Sequence, residues 1–173
     1  LCDKLSPLVL EKGFSSFLDY YYYLKYDAES DREWENVFDA LSVPETYFWR
    51  EVDQIKALVD IICPEHYERS KDVPLKIWSA ACATGEEPLT IAMELNEAGW
   101  FERMPIEINA SDASRRAIER ARQGLYRDRS FRNTPPHMKA RYFKQEGNLY
   151  RVVQEIYNRV KFSVANLLDK TKI

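Results

Sequence analysis

Histidine is almost missing from this chain: His66 and His137 are the only two in 173 residues. Cysteine is scarce as well, with Cys2, Cys63 and Cys82 far apart, odd in number and without a C-x-x-C pair. Neither a structural zinc site nor a disulfide scaffold is read from such spacing, so no metal is expected. Reduced thiols suit a cytoplasmic protein. A Ser-His-Asp relay has little to build on. Five glycines and eight prolines are too few for a collagenous or low-complexity chain. No apolar run approaches the ~18–20 residues of a membrane helix, so membrane insertion is not expected. Leu1 to Leu10 carries Asp3, Lys4 and Ser6 and lacks a signal-peptide core. What is present, 45% hydrophobic and 31% charged residues, describes a soluble globular protein. The length admits one domain, or a small domain with part of a larger one.

The net charge of −3 hides an asymmetry. Residues 26–60 hold ten acids and three bases, whereas residues 111–145 hold ten bases and three acids. The basic block suits an anionic partner, or equally a solvated face paired with the acidic half. Its aromatics (Tyr126, Phe131, Tyr142, Phe143) are sparse for base stacking, so no nucleic acid is expected.

Along the chain the first third reads as helix. Phe14, Phe17, Leu18, Tyr21 and Leu24 recur at three- and four-residue steps, the period of one apolar face. Asp31 is placed as the cap of a second helix through Trp34, Val37, Phe38 and Leu41, ended by Pro44. A third helix is expected from Thr46 to Cys63 on Ile55, Leu58, Val59 and Ile62, stopped by Pro64. Residues 70–74 read as a linker. Strand and helix then alternate: a strand over Leu75–Ala80, a helix from Glu87 to Ala98 ended by Gly99, and a strand through Ile106, Ile108 and Ala110. A helix capped by Ser114 and stopped at Gly124 follows, and a third strand covers Val160–Val164. That alternation predicts a parallel sheet, whose ligands sit at the carboxyl ends of its strands. Those ends are Ala81–Glu87, Asp112 and Asn166.

The first of them, Ser79-Ala80-Ala81-Cys82-Ala83-Thr84-Gly85-Glu86-Glu87-Pro88, is built from small residues that allow close approach to the backbone. It is not a G-x-G-x-x-G loop. Two carboxylates at the start of the helix oppose a phosphate there and favour a cationic or hydroxylated ligand. Alternatively, Glu86 and Glu87 are first-turn acids that suit the helix dipole. Asp112 at the end of the second strand is placed to bind ribose hydroxyls. An acid for ribose, an acid for an ammonium group and no phosphate cradle describe S-adenosylmethionine better than a dinucleotide.

At these residues the sequence resembles the chemotaxis receptor methyltransferases of the CheR type. The matching strings are Thr46-Tyr47-Phe48-Trp49-Arg50-Glu51, the Ile77–Pro88 segment, Ala110-Ser111-Asp112, Gly124-Leu125-Tyr126, Arg141-Tyr142-Phe143 and Val164-Ala165-Asn166-Leu167-Leu168. The resemblance implies an N-terminal all-helical domain (1–45), a connecting helix and linker (46–74), and a partial Rossmann-like methyltransferase domain (75–173). A small β insert is implied at about 141–160. It implies an S-adenosylmethionine-dependent, cytoplasmic protein-glutamate O-methyltransferase of chemotaxis signal transduction. The acceptors would be glutamates on chemoreceptor helices and the product S-adenosylhomocysteine; the alternative is a non-catalytic cofactor-binding or regulatory module derived from the same family.

By the same resemblance Thr46 and Arg50 contact the cofactor, with Arg50 near its carboxylate and the transferring methyl as the catalytic residue. Glu87 holds the amino end, Asp112 the ribose, and Asn166 with Leu167 the adenine edge. Three departures stand out. Pro44 replaces a frequent asparagine, and Cys82-Ala83 replaces a more usual alanine-serine pair. The sequence also stops at Ile173 where the family continues with further strands and a cysteine-arginine-asparagine segment, and the family's first N-terminal helix is not recognised. The Lys144–Arg151 segment reads as a short polar loop, too short to bind a receptor-tail pentapeptide tether.

Overall fold

The computed structural model describes residues 1–28, 30–41 and 45–167. The chain divides into two compact units, Leu1–Glu45 with Ser114–Arg116, and Thr46–Ala113 with Ala117–Ile173.

The first unit holds α1 (Cys2–Glu11), α2 (Phe17–Tyr26) and α3 (Ser30–Leu41). Helix α1 was not read from the sequence. Ser16 caps α2, its Oγ accepting from the Asp19 N–H at 3.1 Å. Asp31 does not cap α3, because that helix already includes Ser30. Pro44, the expected stop, lies outside the described residues. The buried face differs from the predicted stripe: Val9, Tyr20, Leu24 and Val37 are inside, whereas Phe17, Leu18, Tyr21, Trp34 and Phe38 are exposed. A polar contact explains the rotation. Tyr20 is buried with its hydroxyl donating to buried Glu33 at 2.7 Å, and Glu33 also accepts from Asn36 at 3.0 Å and pairs with Lys12 at 3.2 Å. A buried carboxylate requires such partners, and they set which face of α2 turns inward.

In the second unit, α4 (Val52–Ala57) passes through a π-helical turn at Leu58–Ile62 into α5 (Cys63–Ser70). Pro64 therefore does not stop the helix. Proline lacks an N–H and crowds the carbonyl four residues back, and the wider π turn ahead of it relieves that conflict. The Cys63 N–H accordingly reaches back five residues to the Leu58 carbonyl. Residues 46–51, expected as helix, are not helical: 46 and 47 have no regular structure and 48–51 form turns.

Then follow β1 (Leu75–Ala80), α6 (Glu86–Glu97), the short α7 (Trp100–Arg103), β2 (Ile106–Asp112) and α8 (Arg115–Gln123). After these come β3 (Leu125–Arg127), a 3-10 turn at Asp128–Phe131, α9 (Pro136–Tyr142), β4 (Phe143–Glu146), β5 (Leu149–Val152), α10 (Gln154–Tyr157) and β6 (Val160–Val164). Strands β1, β2 and β6 form a parallel sheet in the order β1-β2-β6, as the alternation predicted. Leu89, Ala92, Met93 and Leu95 of α6 are buried in the same core as Ile108 and Ala110 of β2. Strands β3, β5 and β4 form a separate antiparallel sheet. The segment read as a polar loop is thus the β4–β5 hairpin, turning at Gly147 and Asn148. Its strands have only four residues each, and three of the four in β4 are polar, so no alternation signals them.

Candidate functional site

The parallel register sets Ala80 beside Ser111 and Asp112 beside Val164, so the three strands end together. From that end the chain enters the loop 81–85, where backbone conformation is unusual. Among the described residues, the only non-glycine positions with positive φ are Trp49, Glu51, Ala81 and Ala83. All four lie in the Thr46–Glu51 and Ser79–Pro88 strings. Such conformations cost on the order of 1–3 kcal/mol each and persist only where surrounding contacts impose them.

Those contacts are specific. In the loop, the Cys82 N–H donates to the Ser111 carbonyl at 2.9 Å, and the Ala83 N–H donates to Oδ2 of Asp112 at 2.9 Å. Gly85 has φ +92°, and a Cβ there would lie 3.0 Å from Cε1 of Phe162 and 3.1 Å from Cβ of Ala121. The glycine is therefore required by its backbone and by the packing behind it. Cys82 is buried; burial above all, and the Asp112 charge next, push its thiol up to about 12. A neutral thiol at neutral pH is not a nucleophile.

The adjacent carboxylates take different surroundings. Glu87 is exposed at the start of α6, and its Oε1 accepts from the Ser79 hydroxyl at 2.6 Å. Glu86 is buried, accepting from Thr84 Oγ1 at 2.6 Å and Ser130 Oγ at 3.1 Å. Burial raises its pKa above the ordinary value. The sequence offered no way to tell the two apart.

In the other string Phe48 is fully buried against Tyr126, Phe131 and Phe143, at centroid distances of 4.7, 5.2 and 4.9 Å. Its N–H donates to the Ser130 carbonyl at 2.9 Å. Trp49 is buried too: its N–H donates to Thr90 Oγ1 at 3.3 Å and its indole N–H to Glu94 Oε1 at 2.5 Å. These contacts with Ser130, Thr90 and Glu94 hold the left-handed positions at Trp49 and Glu51 in place. Arg50, between them and Glu51, is exposed.

Asp112 and Glu87 are thus both joined to the Ser79–Glu87 segment. Thr46 is half-buried two residues before Phe48, and Asn166 and Leu167 are exposed just past β6. Ala165, beside them, donates its N–H to the Asp112 carbonyl at 3.0 Å. Sequence reasoning gave no role to Ser130, which nothing local marks, or to Tyr126, which lies in the Gly124-Leu125-Tyr126 string and whose hydroxyl donates to the Thr84 carbonyl at 3.0 Å. Acceptor-only carboxylates with a small-residue loop suit a ligand that is cationic and rich in hydroxyls, as S-adenosylmethionine is. Among the described residues no group of three or more His, Cys, Asp or Glu is arranged to hold a metal.

Residues 44–173 match the family model described as the CheR methyltransferase, SAM-binding domain. The chain belongs to the CheR methyltransferase family. The family domain's cofactor is S-adenosylmethionine. The chain is 35% identical over 162 residues to chemotaxis protein methyltransferase 2 of Vibrio cholerae, covering 91% of this chain and 55% of that protein. It is 34% identical over 173 residues to the chemotaxis protein methyltransferase of Escherichia coli, covering 97% and 58%. A similarity of 34% over 140 residues joins it to a probable biofilm formation methyltransferase of Pseudomonas aeruginosa, covering 81% and 33%. The chain thus spans little more than half the length, or less, of these CheR relatives. No helix among its described residues is long and apolar enough to cross a membrane.

Proposed function

We propose that this chain carries the cofactor-binding part of a cytoplasmic protein-glutamate O-methyltransferase that modifies chemoreceptor helices. The observation that supports it most is the coincidence of the family match with two left-handed turns held by Asp112, Glu86 and Ser130. In this reading Asp112 accepts from ribose hydroxyls and Glu87 pairs with the amino group. Asn166 and Leu167 border the adenine, and Thr46 and Arg50 face the carboxylate and the reacting end.

When bound, S-adenosylmethionine supplies an electrophilic methyl group on a sulfonium. The acceptor glutamate, with an ordinary pKa near ~4.3, is already ionised at neutral pH. No protein group has to take a proton. Arg50 acts by orienting charge, and the buried aromatic cluster around Phe48 holds the turn that carries it, so the rate gain lies in alignment and desolvation. This accords with a chain that contains two histidines.

The two-residue turn of the β4–β5 hairpin supports a reading without a receptor-tail tether. Within the basic block Lys139 pairs with Asp128 and Arg141 with Glu97, both at 2.8 Å, which supports a solvated face rather than a nucleic-acid surface. Calorimetry of the full-length protein with S-adenosylhomocysteine tests the reading. Binding that is lost in Asp112→Ala is expected. Absence of binding would leave a non-catalytic module of the same family.

A further inference from the structure

Glu86 opens α6 immediately after the loop 81–85 and is 2% exposed. Its Oε2 meets the Thr84 hydroxyl of that loop at 2.6 Å, and its Oε1 meets the Ser130 hydroxyl of the 3-10 turn at 3.1 Å. Ser130 in turn accepts the Phe48 N–H at its carbonyl, at 2.9 Å. One carboxyl thus lies between the loop after β1 and the turn that carries Arg50. Other contacts run the same way. Thr90 Oγ1 donates to the Glu86 carbonyl at 2.7 Å and accepts from the Trp49 N–H at 3.3 Å. Tyr126 donates to the Thr84 carbonyl at 3.0 Å and sets its ring edge-on to Phe48 at a centroid distance of 4.7 Å.

Both segments have to be fixed from outside. Ala81 and Ala83 in one, and Trp49 and Glu51 in the other, hold left-handed backbone that their side chains disfavour. A buried carboxyl is itself costly. It supplies what an apolar side chain lacks, which is direction: two oxygens bonded to hydroxyls on different segments fix both at once. On the reading above, the loop receives the cofactor and the turn presents Arg50 to the reacting end, and in-line transfer tolerates little error between them. We propose that Glu86 is a positioning residue for methyl transfer: its buried carboxyl, through Thr84 and Ser130, aligns the cofactor loop with the Arg50 turn. This rests on the proposed methyltransferase function. The exposed Glu87 keeps its place at the amino end of the cofactor, so the adjacent carboxylates divide binding from alignment.

The test uses the full-length protein, a receptor fragment containing methylatable glutamates as acceptor, and S-adenosylhomocysteine as the calorimetric probe. Ser130→Ala is expected to lower kcat about fivefold, the scale of one hydrogen bond. Glu86→Ala frees both segments and should lower kcat by roughly tenfold or more. Glu86→Gln, whose amide can bond both hydroxyls, should recover most of that rate. Affinity for S-adenosylhomocysteine and KM for the fragment should stay within about twofold in each variant, because Asp112 and Glu87 keep their own contacts to the segment. Combining Ser130→Ala with Arg50→Ala should lower kcat little beyond Arg50→Ala alone, since alignment matters only while Arg50 is there. A merely structural link would instead lose stability and both affinities together and leave the two kcat losses multiplicative. Should Glu86→Ala fail to fold, Ser130→Ala and its combination with Arg50→Ala decide the matter. An unchanged kcat in Ser130→Ala, multiplicative losses in the double variant, or full kcat in Arg50→Ala would overturn the proposal. A wild-type protein that binds S-adenosylhomocysteine yet transfers no methyl to the fragment would instead remove the glutamate-acceptor reading, and this proposal with it.

Discussion

Asp112, at the end of β2, accepts a hydrogen bond from the backbone N–H of Ala83 at 2.9 Å, twenty-nine residues earlier in the chain. The contact fastens a left-handed alanine to the neighbouring strand, so one carboxylate both shapes the loop and lies at the strand end where ribose hydroxyls are expected. Asp112→Asn keeps an oxygen that can accept from Ala83, whereas Asp112→Ala removes the anchor and releases the strain at Ala83. We expect S-adenosylhomocysteine affinity to fall about tenfold or more in Asp112→Ala and less in Asp112→Asn, measured by calorimetry.

Gly85 and Gly147 make a paired test of what a glycine is for. Both have positive φ, but a Cβ at Gly85 meets Phe162 and Ala121 at 3.0–3.1 Å, while a Cβ at Gly147 meets nothing within 4 Å. Gly147→Ala should therefore cost only the backbone strain, about 1 kcal/mol. Gly85→Ala adds overpacking against an aromatic ring, for a total of roughly 2–4 kcal/mol. Urea denaturation of the two variants should show this difference, and equal losses would mean that the loop moves freely away from Phe162.

The strands and helices around this site were largely legible in the sequence. Alternation in Ile106–Ala110, the apolar spacing of α6 and the glycine stops at Gly99 and Gly124 are local signals, and the structure follows them. The turn at residues 46–51 was not legible, because it is imposed by Thr90, Glu94 and Ser130, which lie forty to eighty residues away. Glu86 and Glu87 look alike in sequence, yet one is buried on Ser130 and the other exposed on Ser79. In α2 the apolar period pointed to Tyr21, and a hydrogen bond to Glu33 buried Tyr20 instead. In each case a distant polar partner overrode a local pattern.

That buried glutamate in α3 gives a stability prediction for the helical unit. Burial favours the neutral form of Glu33, but hydrogen bonds from Tyr20, Asn36 and Lys12 outweigh it and hold the carboxyl below its ordinary pKa of 4.5. A depressed folded-state pKa contributes stability above about pH 4.5 that is lost as pH falls through the folded value. Tyr20→Phe removes one partner and should cost about 1 kcal/mol, and Glu33→Ala, which leaves the Tyr20 hydroxyl buried without its acceptor, about 2–3 kcal/mol. Denaturation of each at pH 7 and in mild acid should show the Glu33→Ala deficit shrinking at the lower pH.

Glu86 titrates in the opposite sense. Burial raises its folded-state pKa above the ordinary 4.5, outweighing the Thr84 and Ser130 hydrogen bonds. The folded protein then holds a proton that the unfolded chain releases first, so this residue's contribution falls as pH rises from about 4.5 through the folded value. Glu86→Gln cannot ionise, and both Thr84 and Ser130 have hydroxyls able to donate or accept to an amide. The stability of Glu86→Gln relative to wild type should therefore rise with pH across the weakly acidic range and then level off. A pH-independent difference would show that Glu86 stays ionised in the fold.

Arg50 separates chemistry from folding. Its side chain is exposed, while the turn that presents it is held by Phe48 and Trp49, so Arg50→Ala leaves the buried contacts in place. Surface substitutions of this kind usually change stability by within ~0.5 kcal/mol. If Arg50 orients the anions of the reaction, kcat/KM for methyl transfer to a receptor fragment should drop by more than about tenfold, or about 1.4 kcal/mol of transition-state stabilisation. Transfer of labelled methyl by the full-length protein, set beside urea denaturation of the same preparation, gives both quantities. Losses that match in the two measurements would assign Arg50 to the turn's structure and take it out of the reaction.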